Sequence, residues 1–349
     1  GDVVVDIGAG TGILSLLACR AGARRVFAIE HNDAIAVAKK TAEANGFSDR
    51  ITFIQDLSTR VSLPEKANVL VSDIHGVLPG FENQLDTIID ARDRFLADGG
   101  HLIPSSDSLM AAAVSDAKLH SRHACDPEID GLDLRAAREL TVNAWSQSWL
   151  KPNQLISEPC RWKTLDYRTI EKSVICADFE LTFDKDGVAH GLGVWFDSVL
   201  AEGVELSNAP AAPDLVYGNG FFPWPEPVEV SAGDVARIFI QANPIQNEHV
   251  WRWETRILSA GREDRLRQQF SQSTFFGAAI SSHQLKKGAP DYVPKLTEEG
   301  EMTRTALELM ADGLSVGEAA NRMADRFPNR FPDWKIALDF ISTLSRKYS

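Results

Sequence analysis

The chain has 349 residues, which gives room for two or three domains. Its 44% hydrophobic and 24% charged residues are those of a soluble globular protein, and no apolar run approaches the roughly 20 residues of a membrane span, so a membrane partner is excluded. Lys and Arg total 36 against 49 Asp and Glu, a net charge of -13, which argues against a phosphate-reading surface and nucleic acid and suits a basic partner. Cys19, Cys125, Cys160 and Cys176 lack tight spacing, as expected of reduced thiols in a cytoplasmic protein. Gly1 already stands at the edge of a strand-like run, so the polypeptide is expected to continue upstream.

Val3-Val4-Val5 is a continuous apolar run leading through Asp6 into glycines 8, 10 and 12, after which Ile13 to Ala18 continues with helical spacing. Arg25 to Glu30 predicts a second strand, Ala34 to Ala44 a helix, Ile51 to Ile54 a third strand and Val69 to Ser72 a fourth. This alternation predicts a Rossmann-like, doubly wound parallel sheet over 1–105. From about Asp107 the texture becomes antiparallel β: Lys172 to Phe183, Gly191 to Leu200, Val228 to Val230 and Ala236 to Gln241 are separated by Pro, Gly and Asn, predicting a β-domain over 106–260. Asp116 to Pro159 interrupts it with helix-like stretches at Leu132 to Leu140 and Ala144 to Leu150, and is too long for a simple loop, so it is expected to form an arm. Residues 261–290 read as a connector. Three helical patterns follow within 291–349, at Glu299 to Ala311, Ser315 to Phe327 and Asp333 to Lys347, with Ser315 and Glu318 spaced as a capping box.

The glycines follow a strand and open a helix, where exposed N–H groups and the absence of Cβ let a ligand come close. Their spacing is G-x-G-x-G rather than the G-x-G-x-x-G that seats a pyrophosphate, which favours S-adenosylmethionine (SAM), a cofactor without phosphates. Glu30, 18 residues after Gly12 at the end of the second strand, is placed to accept both ribose hydroxyls. Asp6 is placed to hold the loop or the cofactor's ammonium group. A nicotinamide enzyme and a ligand-free version of the fold are the alternatives.

The stretches Asp6 to Ser15 (DIGAGTGILS), Ala21 to Val26 (AGARRV) and Ala91 to Pro104 (ARDRFLADGGHLIP) resemble the protein arginine methyltransferase family. The likeness continues through Gly131 to Leu134 (GLDL) and Val194 to Asp197 (VWFD), and covers about Gly1 to Leu258. It implies a β-barrel beside the SAM fold, a homodimer made through the arm at 116–159, and an upstream segment that closes over SAM. It also implies that Ser58 and Thr59 flank the adenine, with Thr59 standing where the family usually has Glu.

Asp73 and Glu82, nine residues apart after the fourth strand, fall on the acidic positions of the family's double-glutamate hairpin, which grips the substrate guanidinium. Two acids suit this task because a planar cation must be oriented and polarised so that one nitrogen faces the methyl carbon. Asp73 is one methylene shorter than the usual Glu, a displacement of ~1.5 Å. Ile74, His75 and Val77 replace the family's Trp, Met and Tyr, and His75 becomes a candidate general base for a less basic acceptor. The family's Thr-His-Trp loop should fall near Leu215-Val216-Tyr217, where that motif is missing. His120, His123 and Cys125 have ligand-like spacing but no completing cluster, so no metal is expected. Trp145, Trp149, Trp195, Trp251 and Trp253 are expected in the core or at a dimer interface.

Residues 294–349 resemble the PqqD-like winged helix that binds leader peptides of ribosomally made precursor peptides, with Tyr292-Val293 and the vicinity of Leu314-Ser315 as candidate strands; a plain helical cap is the alternative, and a DNA-binding helix-turn-helix lacks support from the segment's net charge of -1. The expectation is therefore a SAM-dependent methyltransferase, releasing S-adenosylhomocysteine, that acts on a peptide or protein side chain, arginine first. A backbone amide, histidine or carboxylate acceptor is the alternative within that chemistry, and a non-catalytic peptide-binding or regulatory protein is the alternative outside it. Residues 1–105 hold 10 basic and 14 acidic side chains and 294–349 hold 8 and 9, which leaves -8 of the -13 to 106–293, the side along which the family's substrates run.

Overall fold

The computed structural model describes residues 1–246, 248–261, 265–279 and 281–349. The chain divides into two compact units, Gly1–Ala279 and Ile280–Ser349. The first opens with β1 (Val3–Ile7), α1 (Ile13–Arg20), β2 (Arg25–Ile29), α2 (Ala34–Ala44), β3 (Ile51–Ile54), β4 (Ala67–Ser72), α3 (Gln84–Phe95) and β5 (Leu96–Ile103). These strands lie side by side in the order β3-β2-β1-β4-β5, every pair parallel. β1 is central and all five of its residues are buried, which is why its apolar run is continuous rather than alternating. The order reverses between β1 and β4, and the chain leaves the carboxyl ends of both strands into loops that face one crevice. Gly12 has φ 87°, and a Cβ there would stand 2.9 Å from the Ala38 Cβ, so only glycine lets α2 pack this close to the loop.

The β-domain begins with β6 (Ser106–Val114). The arm contributes α4 (Ala117–Ser121), a short hairpin of β7 (Glu128–Ile129) and β8 (Leu132–Asp133), α5 (Arg135–Val142) and β9 (Ser146–Ser148). Then come β10 (Cys160–Asp166), β11 (Ile175–Thr182), β12 (Gly187–Ala201), β13 (Val204–Ser207), β14 (Asn219–Val230), β15 (Val235–Ile245), β16 (Glu248–Leu258) and β17 (Leu266–Ser273). One sheet runs β10-β6-β12-β14-β9, with β13 added to β12, and a second runs β11-β15-β16-β17. Among the described residues these ladders do not close into a continuous barrel. Between β14 and β17 a side chain bridges instead, with Gln272 Nε2 donating to the Pro223 carbonyl at 2.9 Å and Trp253 Nε1 donating to Gln272 Oε1 at 2.8 Å. Phe222, Trp251 and Trp253 from the two sheets pack into one core, with the Phe222 and Trp253 ring centroids 5.2 Å apart.

Two expectations about secondary structure in the first unit need correction. The stretch 144–150 contains strand β9, not a helix: it pairs with β14, and Trp145 stacks on Phe222 with centroids 5.7 Å apart, so pairing and burial override its local helical pattern. Of the expected connector 261–290, residues 262–264 and 280 lie outside the described residues, and Leu266–Ser273 is the edge strand β17, recruited by a full antiparallel ladder with β16. Among the described residues no helix is long and apolar enough to cross a membrane.

The second unit holds α6 (Ser282–Lys287), α7 (Glu298–Ala311), α8 (Val316–Arg326) and α9 (Trp334–Tyr348). Met302, Ala306, Ala319, Ala320, Met323, Phe331, Ala337 and Ile341 form its core, small alanines letting the helices approach. Thr297, Ser315 and Asp333 accept backbone N–H groups as N-caps, and Ser315 with Glu318 forms the expected capping box. No strand forms among the described residues of 281–349. The candidate strand Tyr292-Val293 is unpaired, Val293 is 79% exposed, and Pro290 and Pro294 beside it lack donor N–H groups; Ser315 serves instead as the cap of α8. Ser315→Ala is expected to destabilise α8 by about 1 kcal/mol, read in the full chain as faster amide exchange confined to that unit.

Candidate active site

The crevice at the ends of β1, β2 and β4 is a cleft of about 630 Å³, and Gly8, Glu30, Ser58, Thr59, Asp73 and Glu82 all line it. That size suits a cofactor and part of a second substrate. Glu30 follows β2 directly and is 5% exposed; its Oε2 accepts the Gly10 N–H and its Oε1 the Asn32 N–H, both at 2.9 Å. The carboxylate thus holds the glycine loop; Oε2 keeps a lone pair for a further donor, while Oε1 also has His31 Nδ1 3.3 Å away. Gly10 and Gly12 shape that loop. Gly8, with φ 73°, stands where a Cβ would come within 2.7 Å of Ile74 Cγ2, so the glycine loop and the segment after β4 touch.

Asp6, at the end of β1, is fully buried. Its Oδ2 accepts the Ser15 hydroxyl at 2.6 Å, while Oδ1 has no partner. Burial pushes its carboxyl up to about 6, against the pull of Ser15 and with help from the nearby charges of Glu30 and Asp73. An orphaned buried acid, a loop that tolerates no Cβ and an acid at the second strand end fit a cationic nucleoside cofactor such as SAM. Ser58 and Thr59 sit in a single 3₁₀ turn on the opposite wall, anchored by Arg94 Nη2 donating to the Ser58 carbonyl at 2.7 Å.

The acceptor end is built by the loop 73–83. Glu82 is exposed and has φ 46°, a left-handed conformation costly for a residue with a side chain. Asp73 Oδ1 accepts the Tyr217 hydroxyl at 2.5 Å, and His75 Nδ1 lies 3.8 Å from the same oxygen. The contact of His75 with Asp73 holds that carboxyl below its ordinary value against the effect of burial, with Tyr217 assisting.

His75 is not a general base facing the cleft. It is 3% exposed, stacked on Phe196 with centroids 5.0 Å apart, and its Nε2 lies 2.9 Å from Oδ2 of the fully buried Asp107. Burial alone would depress the ring, but Asp107 and then Asp73 outweigh it and push it up to about 9, so the ring is an imidazolium at neutral pH. Asp107 also accepts the hydroxyls of Tyr167 and Ser198. Tyr167 in turn accepts Gln84 Nε2 at 3.2 Å, and Gln84 Oε1 accepts the Gly80 N–H at 2.8 Å. A buried polar chain therefore runs from the β-domain to the start of α3 and the acceptor loop.

Tyr217, in the stretch where the Thr-His-Trp motif is missing, is a candidate site residue that no motif marks, brought to Asp73 by the fold. Its loop is clipped to the arm strand: Gln147 Nε2 donates to the Val216 and Tyr217 carbonyls at 2.9 and 2.8 Å, and Trp149 Nε1 to the Leu215 carbonyl at 3.2 Å. Asp107 carries no sequence signal either, since it stands between Ser106 and Ser108 at the polar start of β6. The histidines of the arm go elsewhere, His120 Nε2 to the Trp224 carbonyl and His123 Nε2 to the Ser146 hydroxyl, both at 2.8 Å. Trp195, Trp251 and Trp253 are buried, and Trp149 is half exposed.

Residues 1–106 match the family described as ribosomal protein L11 methyltransferase (PrmA), and residues 105–253 match the arginine methyltransferase oligomerization subdomain. Protein arginine N-methyltransferase 1 of Schizosaccharomyces pombe is 30% identical over 257 residues, which cover 71% of this chain and 75% of that protein. The chain belongs to the protein arginine N-methyltransferase family. Protein arginine N-methyltransferase 1 of Dictyostelium discoideum is 29% identical over 242 residues, 67% of this chain and 71% of the relative. Among solved structures, the Trypanosoma brucei PRMT1 enzyme-prozyme heterotetrameric complex with AdoHcy superposes with a TM-score of 0.71 at 23% identity, covering 78% of this chain and 88% of that one. Arabidopsis thaliana protein arginine methyltransferase 10 gives a TM-score of 0.68 at 23% identity over the same shares. These likenesses establish the fold, a Rossmann-like methyltransferase domain joined to a β-barrel-type subdomain, and family membership brings the reaction class, SAM-dependent methyl transfer.

A His75 raised from 6.5 to about 9 contributes stability that is fully present below pH ~6.5 and lost as pH rises through about 9. The melting temperature of the wild type is therefore expected to fall more steeply between pH 7 and 10 than that of His75→Gln, and parallel slopes would refute the assignment.

Proposed function

We propose that this protein transfers a methyl group from SAM to a side-chain nitrogen of arginine in a peptide or protein. The observation that carries this reading is one cleft with Glu30 on one wall and two acids, Asp73 and Glu82, beyond it. Glu30 takes the ribose hydroxyls, Ser58 and Thr59 border the adenine, Asp6 faces the cationic part of the cofactor, and Gly8, Gly10 and Gly12 let it approach. When bound, SAM supplies an electrophilic methyl carbon on a sulfonium. Asp73 and Glu82 orient the acceptor guanidinium so that one nitrogen points along the line of displacement, and two negative charges stabilise the cation that results. The attacked nitrogen gives up one proton to Asp73, Glu82 or solvent as it takes the methyl, so the guanidinium keeps a single positive charge, and positioning does more of the work than proton abstraction.

A second reading, methyl transfer to a backbone amide, imidazole or carboxylate, draws on the shortened acid at Asp73, whose Oδ1 is already taken by Tyr217. Mass spectrometry that locates the added methyl on a methylated substrate separates the two. The resemblance of 294–349 to a leader-peptide-binding domain makes a ribosomally made precursor peptide a candidate substrate. With no sheet edge among its described residues, that unit would have to recruit such a peptide through its helices rather than by strand addition. A homodimer formed through the arm would use the hairpin tip, where Ile129 is 48% and Leu132 65% exposed.

Glu82→Gln is expected to lower kcat about 100-fold with SAM affinity retained; full activity would show that Glu82 does not hold the acceptor. Glu30→Ala is expected to weaken SAM binding at least about tenfold by calorimetry, the scale of losing hydrogen bonds to a charged group, and unchanged affinity would remove it from the cofactor site.

A further inference from the structure

Behind the acceptor loop lies a charged residue that the methyl-transfer scheme does not use. His75 occupies a closed slot formed by four elements: Asp73 at the end of β4, Asp107 on β6, Phe196 and Ser198 on β12, and Tyr217 ahead of β14. The ring stacks on Phe196, while Tyr217 meets Phe196 edge-on with centroids 5.9 Å apart, so one aromatic side chain seats both groups that reach Asp73. Both contacts fall on Oδ1 of Asp73, the Tyr217 hydroxyl as a hydrogen bond and the His75 ring as an ion pair at 3.8 Å, beyond hydrogen-bond reach.

We propose that His75 is a positioning residue of the acceptor site: its ring, seated on the buried Asp107, and the Tyr217 hydroxyl together hold Asp73 by Oδ1 and leave Oδ2 as the oxygen that meets the substrate cation. The proposal rests on the reading of Asp73 as an acceptor-site acid. An aspartate that is free to rotate would present either oxygen; one held at Oδ1 from behind presents one oxygen in one direction, which makes its grip on a guanidinium single-pronged and leaves the second prong to Glu82. Holding the shorter side chain rigid compensates for its missing methylene, since a displacement of about 1 Å at such a site costs on the order of 100-fold in rate. The charged groups acting on His75 are Asp73 and Asp107. The remaining titratable neighbours, Tyr167 and Tyr217, bond to those acids, and burial together with the acids raises both phenols, so they stay protonated where His75 titrates.

The discriminating measurement needs no acceptor. In histidine-labelled full-length protein followed by NMR, the His75 resonance is assigned by its loss in His75→Gln or, should that variant not fold, by through-space contacts to the Phe196 ring. It is expected to titrate near pH 9 in the wild type and about one pH unit or more lower in Asp73→Asn, the scale of removing one close opposite charge. An unchanged midpoint in Asp73→Asn would mean that His75 serves Asp107 alone and would overturn the clamp. With a methylated substrate in hand, His75→Gln and Tyr217→Phe are each expected to lower kcat about tenfold with KM for SAM unchanged, and the double variant is expected to depart from the product of the two losses. Losses that simply multiply would overturn a shared hold on Asp73. If arginine proves not to be the acceptor, the titration still decides the clamp, so the two readings fail separately.

Discussion

The first unit turns on a carboxylate that has no access to water. Asp107 is fully buried where the first strand of the β-domain passes behind the acceptor loop, and an ionised acid there is tolerable only with several donors aimed at it. It accepts hydrogen bonds from the Tyr167 and Ser198 hydroxyls and pairs by charge with the His75 ring, whose Nε2 lies 2.9 Å away, so three separated stretches of chain converge on it. Removing any of them leaves a buried charge under-satisfied, so the network specifies one arrangement of the β-domain against the loop that carries Asp73. Gln84 extends it from Tyr167 to the Gly80 backbone and so fixes the far side of the same loop.

At the cofactor end the same logic operates with backbone rather than side chains. Glu30 accepts one N–H from the glycine loop and one from the turn that follows it, which presets the loop's shape before any ligand arrives. The Ile74 side chain, packed on the bare backbone of Gly8, then joins the acceptor loop to the cofactor loop. Cofactor and acceptor ends are thus walls of one cleft, each stiffened by a buried acid.

The arm has a local task as well as the proposed oligomeric one. Through β9 it supplies an outer strand to the larger sheet, and through Gln147 and Trp149 it holds the carbonyls of the loop that delivers Tyr217. Asn208 strengthens this corner by donating to the Val77 carbonyl at 3.2 Å and to that of Gly218 at 2.5 Å, tying the acceptor loop to the Tyr217 loop directly.

Local patterning determined a good deal. The run Val3-Val4-Val5, the glycine spacing after Asp6 and the position of Glu30 depend on neighbours within a few residues or on one strand-helix-strand unit, so the parallel sheet and its cofactor crevice were legible in the sequence. The three C-terminal helices and the Ser315–Glu318 box were legible for the same reason. What the tertiary structure alone decided involves partners far apart in the chain. Residues 144–150 carry a helical pattern yet pair as β9 with β14 about 70 positions away, and 266–273 look like a polar connector until β16 offers them a ladder. His75 reads as a candidate base because it puts a titratable imidazole beside the paired acids; only the fold brings Asp107 and Phe196 behind it and turns it from the cleft. Tyr217 lay in a stretch judged by a missing motif, and its meeting with Asp73, 144 residues earlier, follows from two strands and an arm that no local spacing encodes.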